Sequence, residues 1–358
     1  MQFLSVIVPA YCDSEALANC LASLRRSTFQ DFELLVADDG SPDPEGLKGI
    51  ADHSQARFIR LHENQGPAAA RNAAAFAATG DVLAFLDSDV TVHPDTLARI
   101  AAAFRSDPSL DALMGSYDCQ PHVTGLTALF RNLLHTHVHQ RSSRKATTFW
   151  TGCGAVRRSV FLQMGGFDQS FRRPSIEDVE FGMRLHKAGG KIALDPEVQV
   201  KHHKQWDLLA MVRTDVVDRA MPWTQLMLRY GLPRDLNFRW RDRWSAGFAA
   251  LAIVFAVAAA LHSAWWLGLA GVSAAIALGL EWELFLFLRR EGGLPFALAC
   301  APLYLVHLWS GAAGFAAGLV RTWVTAPRAD RRPAVLPVPD PETPVAESQT
   351  SVKSASTL

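Results

Sequence analysis

The chain has 358 residues, 49% of them hydrophobic, with 35 lysines and arginines balancing 35 aspartates and glutamates. That length leaves room for two domains, and the formal neutrality excludes the basic surface that bulk nucleic-acid binding needs. The five cysteines, Cys12, Cys20, Cys119, Cys153 and Cys300, lack metal-site spacing; their odd number and scatter fit free thiols in a reducing compartment.

Residues 4–9 read as a first strand stopped by a proline. The stretch is too short, and too soon broken by Pro9, to be a signal peptide. Asp13 can cap the next helix, where Leu17, Cys20, Leu21 and Leu24 recur at helical spacing. Residues 32–37 form a second strand, ending in Asp38-Asp39-Gly40-Ser41, and residues 57–61 a third. Gly66-Pro67 opens an alanine-rich helix to about Thr79, with Pro67 suited to the first turn. Val82 to Leu86 is a short apolar run, right for a buried strand, that ends in Asp87-Ser88-Asp89. Ligands of open α/β sheets bind outside the carboxyl ends of strands. Two acids there repel each other and invite a cation between them, and magnesium commonly binds one or two carboxylates plus substrate phosphates. The alternative is a solvated acidic turn. A helix over 94–104 and a strand over 112–117 follow. Strands alternating with helices predict an α/β fold, a mostly parallel sheet with helices on both faces.

His135, His137 and His139 have no acid or cysteine at ligand spacing and read as a polar segment rather than a metal site. Trp150-Thr151-Gly152-Cys153-Gly154 reads as a tight loop. Residues 192–194, the turn Asp195-Pro196 and a strand through Val198 and Val200 lead to His202 and His203. Residues 207–220 form an amphipathic helix, either packed on the preceding domain or lying at a bilayer surface with Trp206 and Trp223 at headgroup level. Three apolar runs follow, at about 245–261, 264–288 and 294–320. Glu281 and Glu283 blur the second, since a charge at mid-bilayer costs ~3 kcal/mol or more. Arg234, Arg239, Arg241 and Arg243 place the start of the first run in the cytoplasm, and Arg289 and Arg290 place the end of the second there. A third full crossing would put Arg321, Arg328, Arg331 and Arg332 outside, against the charge rule, so two or three spans are expected. Gly314-x-x-x-Gly318 could pack helices closely, and residues 323–358 read as a disordered tail.

Val6-Ile7-Val8-Pro9-Ala10-Tyr11, Asp38-Asp39-Gly40-Ser41, Gly66-Pro67-Ala68-Ala69-Ala70-Arg71-Asn72, Asp87-Ser88-Asp89, Gly165-Gly166-Phe167-Asp168 and Glu177-Asp178-Val179-Glu180-Phe181 come in that order. Over about residues 3–205 the chain thereby resembles family-two inverting glycosyltransferases with the GT-A, Rossmann-like fold. No Gly-x-Gly-x-x-Gly follows the first strand, so a dinucleotide site is not expected. The resemblance implies a nucleotide-sugar donor, a UDP- or GDP-sugar, with Mg2+ or Mn2+. It implies that Pro9, Tyr11, Glu15, Asp39 and Arg71 contact the nucleotide, that Asp87 and Ser88 serve the donor, and that Gly152, Cys153 and Gly154 lie near the sugar. Asp89, Asp87 and His202 would hold the metal. For His202 a solvated basic pair with Lys201 and Lys204 is the competing reading. The resemblance selects Asp178 as general base, with Glu177 next in line; both acids open a helix, whose positive end favours their charged forms.

The expected organisation is a catalytic domain over 1–230 facing the cytoplasm, membrane runs within 231–322 and the tail over 323–358. The expected activity is inverting transfer of a single sugar to a lipid-linked or membrane-proximal acceptor at the cytoplasmic membrane. A processive polysaccharide synthase is the first rival: Leu236-Asn237-Phe238-Arg239-Trp240 keeps the Arg-Trp of the processive motif but has leucine in place of its glutamine. The second is a catalytically inactive membrane scaffold, which the presence of Asp39, Asp87, Asp89 and Asp178 disfavours.

Overall fold

A computed structural model describes residues 3–232 and 239–324. The expectations for Arg234, for Leu236, Asn237 and Phe238, and for the tail beyond Val324 lie outside the described residues.

The sheet begins with four strands in parallel: β1 (Leu4–Ala10), β2 (Phe32–Asp38), β3 (Arg57–Arg60) and β4 (Val82–Leu86). β1, β2 and β4 were legible as apolar runs closed by proline or acid. β5 (Val90–Val92), β6 (Ala112–Tyr117), β7 (Lys145–Ala146), β8 (Cys153–Arg157) and β9 (Ile192–His202) complete one sheet in the order β3-β2-β1-β4-β8-β6-β9-β5, with β7 added on β9. β8 enters antiparallel between β4 and β6, so the second half of the sheet is mixed. The register brings the chemistry to one edge. Ala10 pairs with Asp38, Leu86 with Cys153, and Val90 with His202, so Tyr11, Asp39, Asp87, Thr151 and His202 all emerge there.

The expected turn at Asp195-Pro196 is instead a bulge inside the continuous strand β9. Met114 pairs with Leu194 and the next pair is Ser116 with Gln199. Pro196 has no N–H to give a ladder and is accommodated where the pairing lapses.

Helices cover both faces. α1 (Ser14–Leu24), α2 (Pro44–His53) and α4 (Thr96–Ser106) bury Leu17, Leu21, Leu47, Leu97 and Ile100 on one side. α3 (Pro67–Ala77), α6 (Arg158–Gln163) and α7 (Glu177–Lys187) cover the other, around Phe85, Phe149, Phe161, Phe167 and Phe181. Three histidines expected in a polar segment lie on α5 (Leu126–Arg141), whose period turns His135 and His139 together.

The amphipathic helix expected over 207–220 is the first part of a longer helical run: α8 (Leu208–Arg213), a π-helical segment (Thr214–Ala220) and α9 (Met221–Tyr230). α10 (Trp240–Leu261), α11 (Trp266–Leu280) and α12 (Trp282–Val324) follow. The second apolar run breaks at Glu281, which caps α11, and Gly293 at φ 81° kinks α12. α10 and α12 are long and apolar enough to cross a membrane; α11, with 15 residues, spans only about 22 Å. Packing does not break near residue 230. Phe130, Leu133 and Leu134 of α5 share one core with Leu284, Leu288, Cys300 and Tyr304 of α12.

Candidate active site

Asp39 organises the first part of the sheet edge. Its Oδ1 accepts from Gln65 N at 2.8 Å and its Oδ2 from Gly66 N at 2.9 Å, fixing the loop that opens α3. Burial pushes its carboxyl up, against those N–H bonds. One turn into α3, buried Arg71 bridges two acids, with Nη2 2.6 Å from Asp87 Oδ1 and Nη1 2.8 Å from Glu177 Oε1. Burial disfavours the guanidinium charge, but Asp87, Glu177 and Asp178 together hold its pKa above the usual value. Glu177 also accepts from Ser175 N at 3.1 Å. It is therefore committed to positioning Arg71 and the start of α7. Pro9 ends beside Ala37, and Tyr11 is exposed just beyond it. Glu15 stays exposed in the first turn of α1, outside this cluster of acids.

The two acids flanking Ser88 face different partners rather than one cation between them. Asp87 faces Arg71. Asp89 Oδ2 lies 3.6 Å from His202 Nε2, while its Oδ1 is buried without a hydrogen-bond partner. Burial pushes the Asp89 carboxyl up, yet His202 and then Lys204 leave it below the ordinary value. The His202 ring is oriented from behind. Asn132 Nδ2 donates to Ala128 O at 2.9 Å and to Lys204 O at 3.2 Å, so its Oδ1 is left to accept the His202 Nδ1 proton. With Nδ1–H given to Asn132, Nε2 is the nitrogen that faces Asp89: it pairs with the carboxylate when it carries a proton and would bind a cation there once that proton leaves, the arrangement of a metal-ligating histidine. Among the described residues no group of three His, Cys, Asp or Glu side chains makes a ready cation site. Asp89 and His202 supply two donors, which fits Mg2+ or Mn2+ whose remaining positions are taken by diphosphate and water. Asp87, Asp89, Glu177 and Asp178 outnumber the Arg71 guanidinium, so a divalent cation would offset the repulsion a diphosphate meets here.

Asp178 is buried at the start of α7. Its Oδ2 accepts from Thr151 N at 3.0 Å and Thr151 Oγ1 at 3.1 Å, and its Oδ1 from Val179 N at 2.8 Å. The helix end was expected to favour the charged form; burial, then neighbouring Glu177, outweigh it and raise the pKa to about 6. α7 can press this close because residue 182 is glycine: a Cβ there would lie 2.1 Å from Phe149 N.

The tight loop expected over Trp150 to Gly154 ends at Gly152, which lies in a turn. Cys153 and Gly154 begin β8, and the Cys153 thiol is fully buried and pushed up to about 12, by burial first. A Cβ on Gly152 would meet the Trp150 ring at 2.2 Å, and one on Gly154 the Trp150 carbonyl oxygen at 2.1 Å. Both glycines hold Trp150 close, and Thr151 is the residue of the stretch that reaches an acid.

Several site residues carried no sequence motif. Tyr117 stacks on His202 at 4.3 Å and meets Trp150 edge-on at 4.7 Å. His135 and His139 lie 6.1 and 6.3 Å from the same ring, on one face of α5. Their i, i+4 spacing was the available signal, hidden by a segment not read as helix. Asn132 had none.

A mixed sheet with helices on both faces and an acid-lined carboxyl edge defines an α/β domain of the GT-A class. Residues 5–165 match the glycosyl transferase family 2 profile, and the chain carries a glycosyltransferase domain of that family. It is similar to validoxylamine A glucosyltransferase of Streptomyces hygroscopicus subsp. jinggangensis, 30% identical over 219 residues, 52% of this chain and 52% of that protein. It is 40% identical over 255 residues to YfnE of Bacillus subtilis, an uncharacterized glycosyltransferase, covering 56% of this chain and 64% of YfnE. In fold it resembles the mannosyltransferase PcManGT from Pyrobaculum calidifontis, solved in complex with GDP-Man and Mn2+, with TM-score 0.53 and 20% identity over 90% of this chain and 86% of that one. The chain spans 48% to 61% of the length of the first curated relatives it matches.

Proposed function

We propose that the protein transfers a single hexose from a UDP- or GDP-sugar to a lipid-linked acceptor, with inversion and with Mg2+ or Mn2+ held by Asp89 and His202. The observation that carries this reading is the poise of Asp178. Thr151 aims its carboxylate, and burial beside Glu177 sets its pKa to about 6, suited to a base working near neutral pH. Tyr117 is the link across the edge: burial raises its pKa first, followed by Asp89 and Asp87, with Asp178 also acting on it.

In the proposed reaction the acceptor hydroxyl oxygen attacks the anomeric carbon from the face opposite the diphosphate. Its proton passes to an oxygen of Asp178, and the bond between sugar and diphosphate breaks with its electron pair leaving on the nucleoside diphosphate. Bound metal would neutralise that leaving group. Arg71 holds Asp87 in place, Glu177 holds Arg71, and Asn132 holds His202.

Membrane attachment is supported by the exposed apolar faces of α10 and α12, where Val254 is 58%, Leu261 73% and Leu298 64% exposed. Arg241 Nε donates to Leu280 O at 3.0 Å, so the start of α10 and the end of α11 lie together. With Arg239, Arg241 and Arg243 beside them, that end is assigned to the cytoplasm. Single transfer is preferred to processive synthesis because Arg239 and Trp240 sit at the start of α10. Arg239 N donates there to Asp242 Oδ2 at 2.9 Å, and Trp240 is 72% exposed.

The test is to incubate the full chain with UDP- and GDP-sugars, Mn2+ and extracted membrane lipids, then weigh the lipids by mass spectrometry and assign the new anomer by NMR. One added hexose of inverted configuration is expected. A ladder of hexoses would indicate a processive enzyme, and nucleotide-sugar binding without any product would indicate a scaffold.

A further inference from the structure

Arg219 belongs to none of the groups placed so far. It lies in the π-helical segment, and its Nη1 donates to His135 Nε2 at 2.7 Å. That bond needs a neutral imidazole, and burial, followed by the charges of Arg219 and Arg131, holds His135 in that form. Among the described residues no carboxylate lies within 4.0 Å of the Arg219 guanidinium. Asp215, in the same π-helical segment, is already engaged by Arg131 and by His307 of α12, the latter at 2.7 Å. Arg219 is thus a surplus cation with one of its five N–H donors committed to a neutral ring.

Its surroundings are those of the active site. His135, which Arg219 holds, stacks on Tyr117 at 6.1 Å, and Tyr117 stacks on His202 at 4.3 Å. His139 Nδ1, on the same face of α5 as His135, is buried without a partner. The segment that carries Arg219 is clamped to α12. A Cβ on Gly314 would lie 2.5 Å from Ala220 Cβ, and one on Gly318 2.7 Å from Thr224 Cβ. The Gly-x-x-x-Gly spacing noted in the sequence is thereby used to seat this run against the helix with the exposed apolar face.

We propose that Arg219 recognises a phosphate group on the acceptor, which is therefore an anionic lipid carrying phosphate beside its accepting hydroxyl. The planar guanidinium fork matches phosphate oxygens. The donor diphosphate is served from other elements, by Asp89, His202 and the Arg71 cluster, whereas Arg219 is fixed to α12. This assignment rests on the glycosyltransferase reading.

The test uses the full chain in a nonionic detergent and titration calorimetry with dodecyl phosphate, inorganic phosphate, and UDP or GDP with Mn2+. Dodecyl phosphate should bind, and Arg219→Gln should weaken it at least about tenfold, the loss expected for a charged hydrogen-bond donor. Arg219→Lys should retain part of that affinity, and both variants should keep nucleotide affinity within about twofold and an unchanged melting temperature. Equal dodecyl phosphate binding by wild type and Arg219→Gln overturns the proposal, as does an equal loss of nucleotide affinity, which would move Arg219 to the donor. Inorganic phosphate binding as tightly as dodecyl phosphate overturns the lipid assignment. If no nucleotide binds to the wild type at all, the glycosyltransferase reading itself fails, whatever dodecyl phosphate does.

Discussion

Asn132 accepts the Nδ1 proton of His202, and its amide nitrogen is held by Ala128 and Lys204, so His202 Nε2 is turned toward Asp89. One neutral side chain on α5 thus decides which nitrogen of a histidine on β9 is free to bind a cation. Asn132→Leu removes the acceptor. Mn2+ affinity, measured by electron paramagnetic resonance with nucleoside diphosphate present, should fall about 10- to 100-fold. Asn132→Asp, which keeps an acceptor, should retain most of it. Unchanged affinity in Asn132→Leu would remove His202 from the metal shell.

Asp178 should govern the acid limb of the rate profile. A base must be deprotonated, and burial raises this carboxyl to about 6, so the rate on a hydroxyl acceptor should rise with pH up to about 6 and then level. Asp178→Asn should keep donor affinity within about threefold and lower turnover at least ~100-fold, with the acid limb gone. A loss below tenfold would reassign Asp178 to positioning.

The buried Arg131–Asp215 pair joins α5 to the π-helical segment, and both side chains are almost wholly enclosed. Arg131→Met strands a carboxylate beside His307 and should cost about 3–5 kcal/mol, seen as a lower melting temperature in detergent. Arg131→Met with Asp215→Leu should recover much of that loss. A single variant as stable as wild type would show that the pair is solvated.

Gly182→Val should displace α7 from the Phe149 backbone and carry Asp178 away from Thr151. Overpacking of this kind costs about 1–3 kcal/mol, and turnover should fall more than donor affinity does. Wild-type kinetics in this variant would contradict the seating of α7.

The acid-lined strand ends were legible because they follow strands that announce themselves. Val82 to Leu86 is apolar between Gly80 and Asp87, so Asp87 and Asp89 fall at a strand end by local pattern alone. β9 was split because Asp195-Pro196 has the composition of a turn, and only its partner β6 reveals a bulge. Cys153 and Gly154 were misplaced because a glycine-flanked cysteine reads as a loop, whereas close approach of Trp150 requires those glycines in and beside a strand. Asn132, Tyr117 and Arg219 act across 70 or more positions of sequence in part, as Asn132 does on His202, and no local period encodes such contacts.

Binding of UDP and GDP to the full chain by titration calorimetry, with and without Mn2+, in wild type and Asp89→Ala, tests the metal-assisted donor site most directly. One nucleotide should bind in a Mn2+-dependent way, and Asp89→Ala should abolish that dependence. Binding that is tight without metal and indifferent to Asp89→Ala would contradict the assignment of Asp89 and His202 to a donor-holding cation.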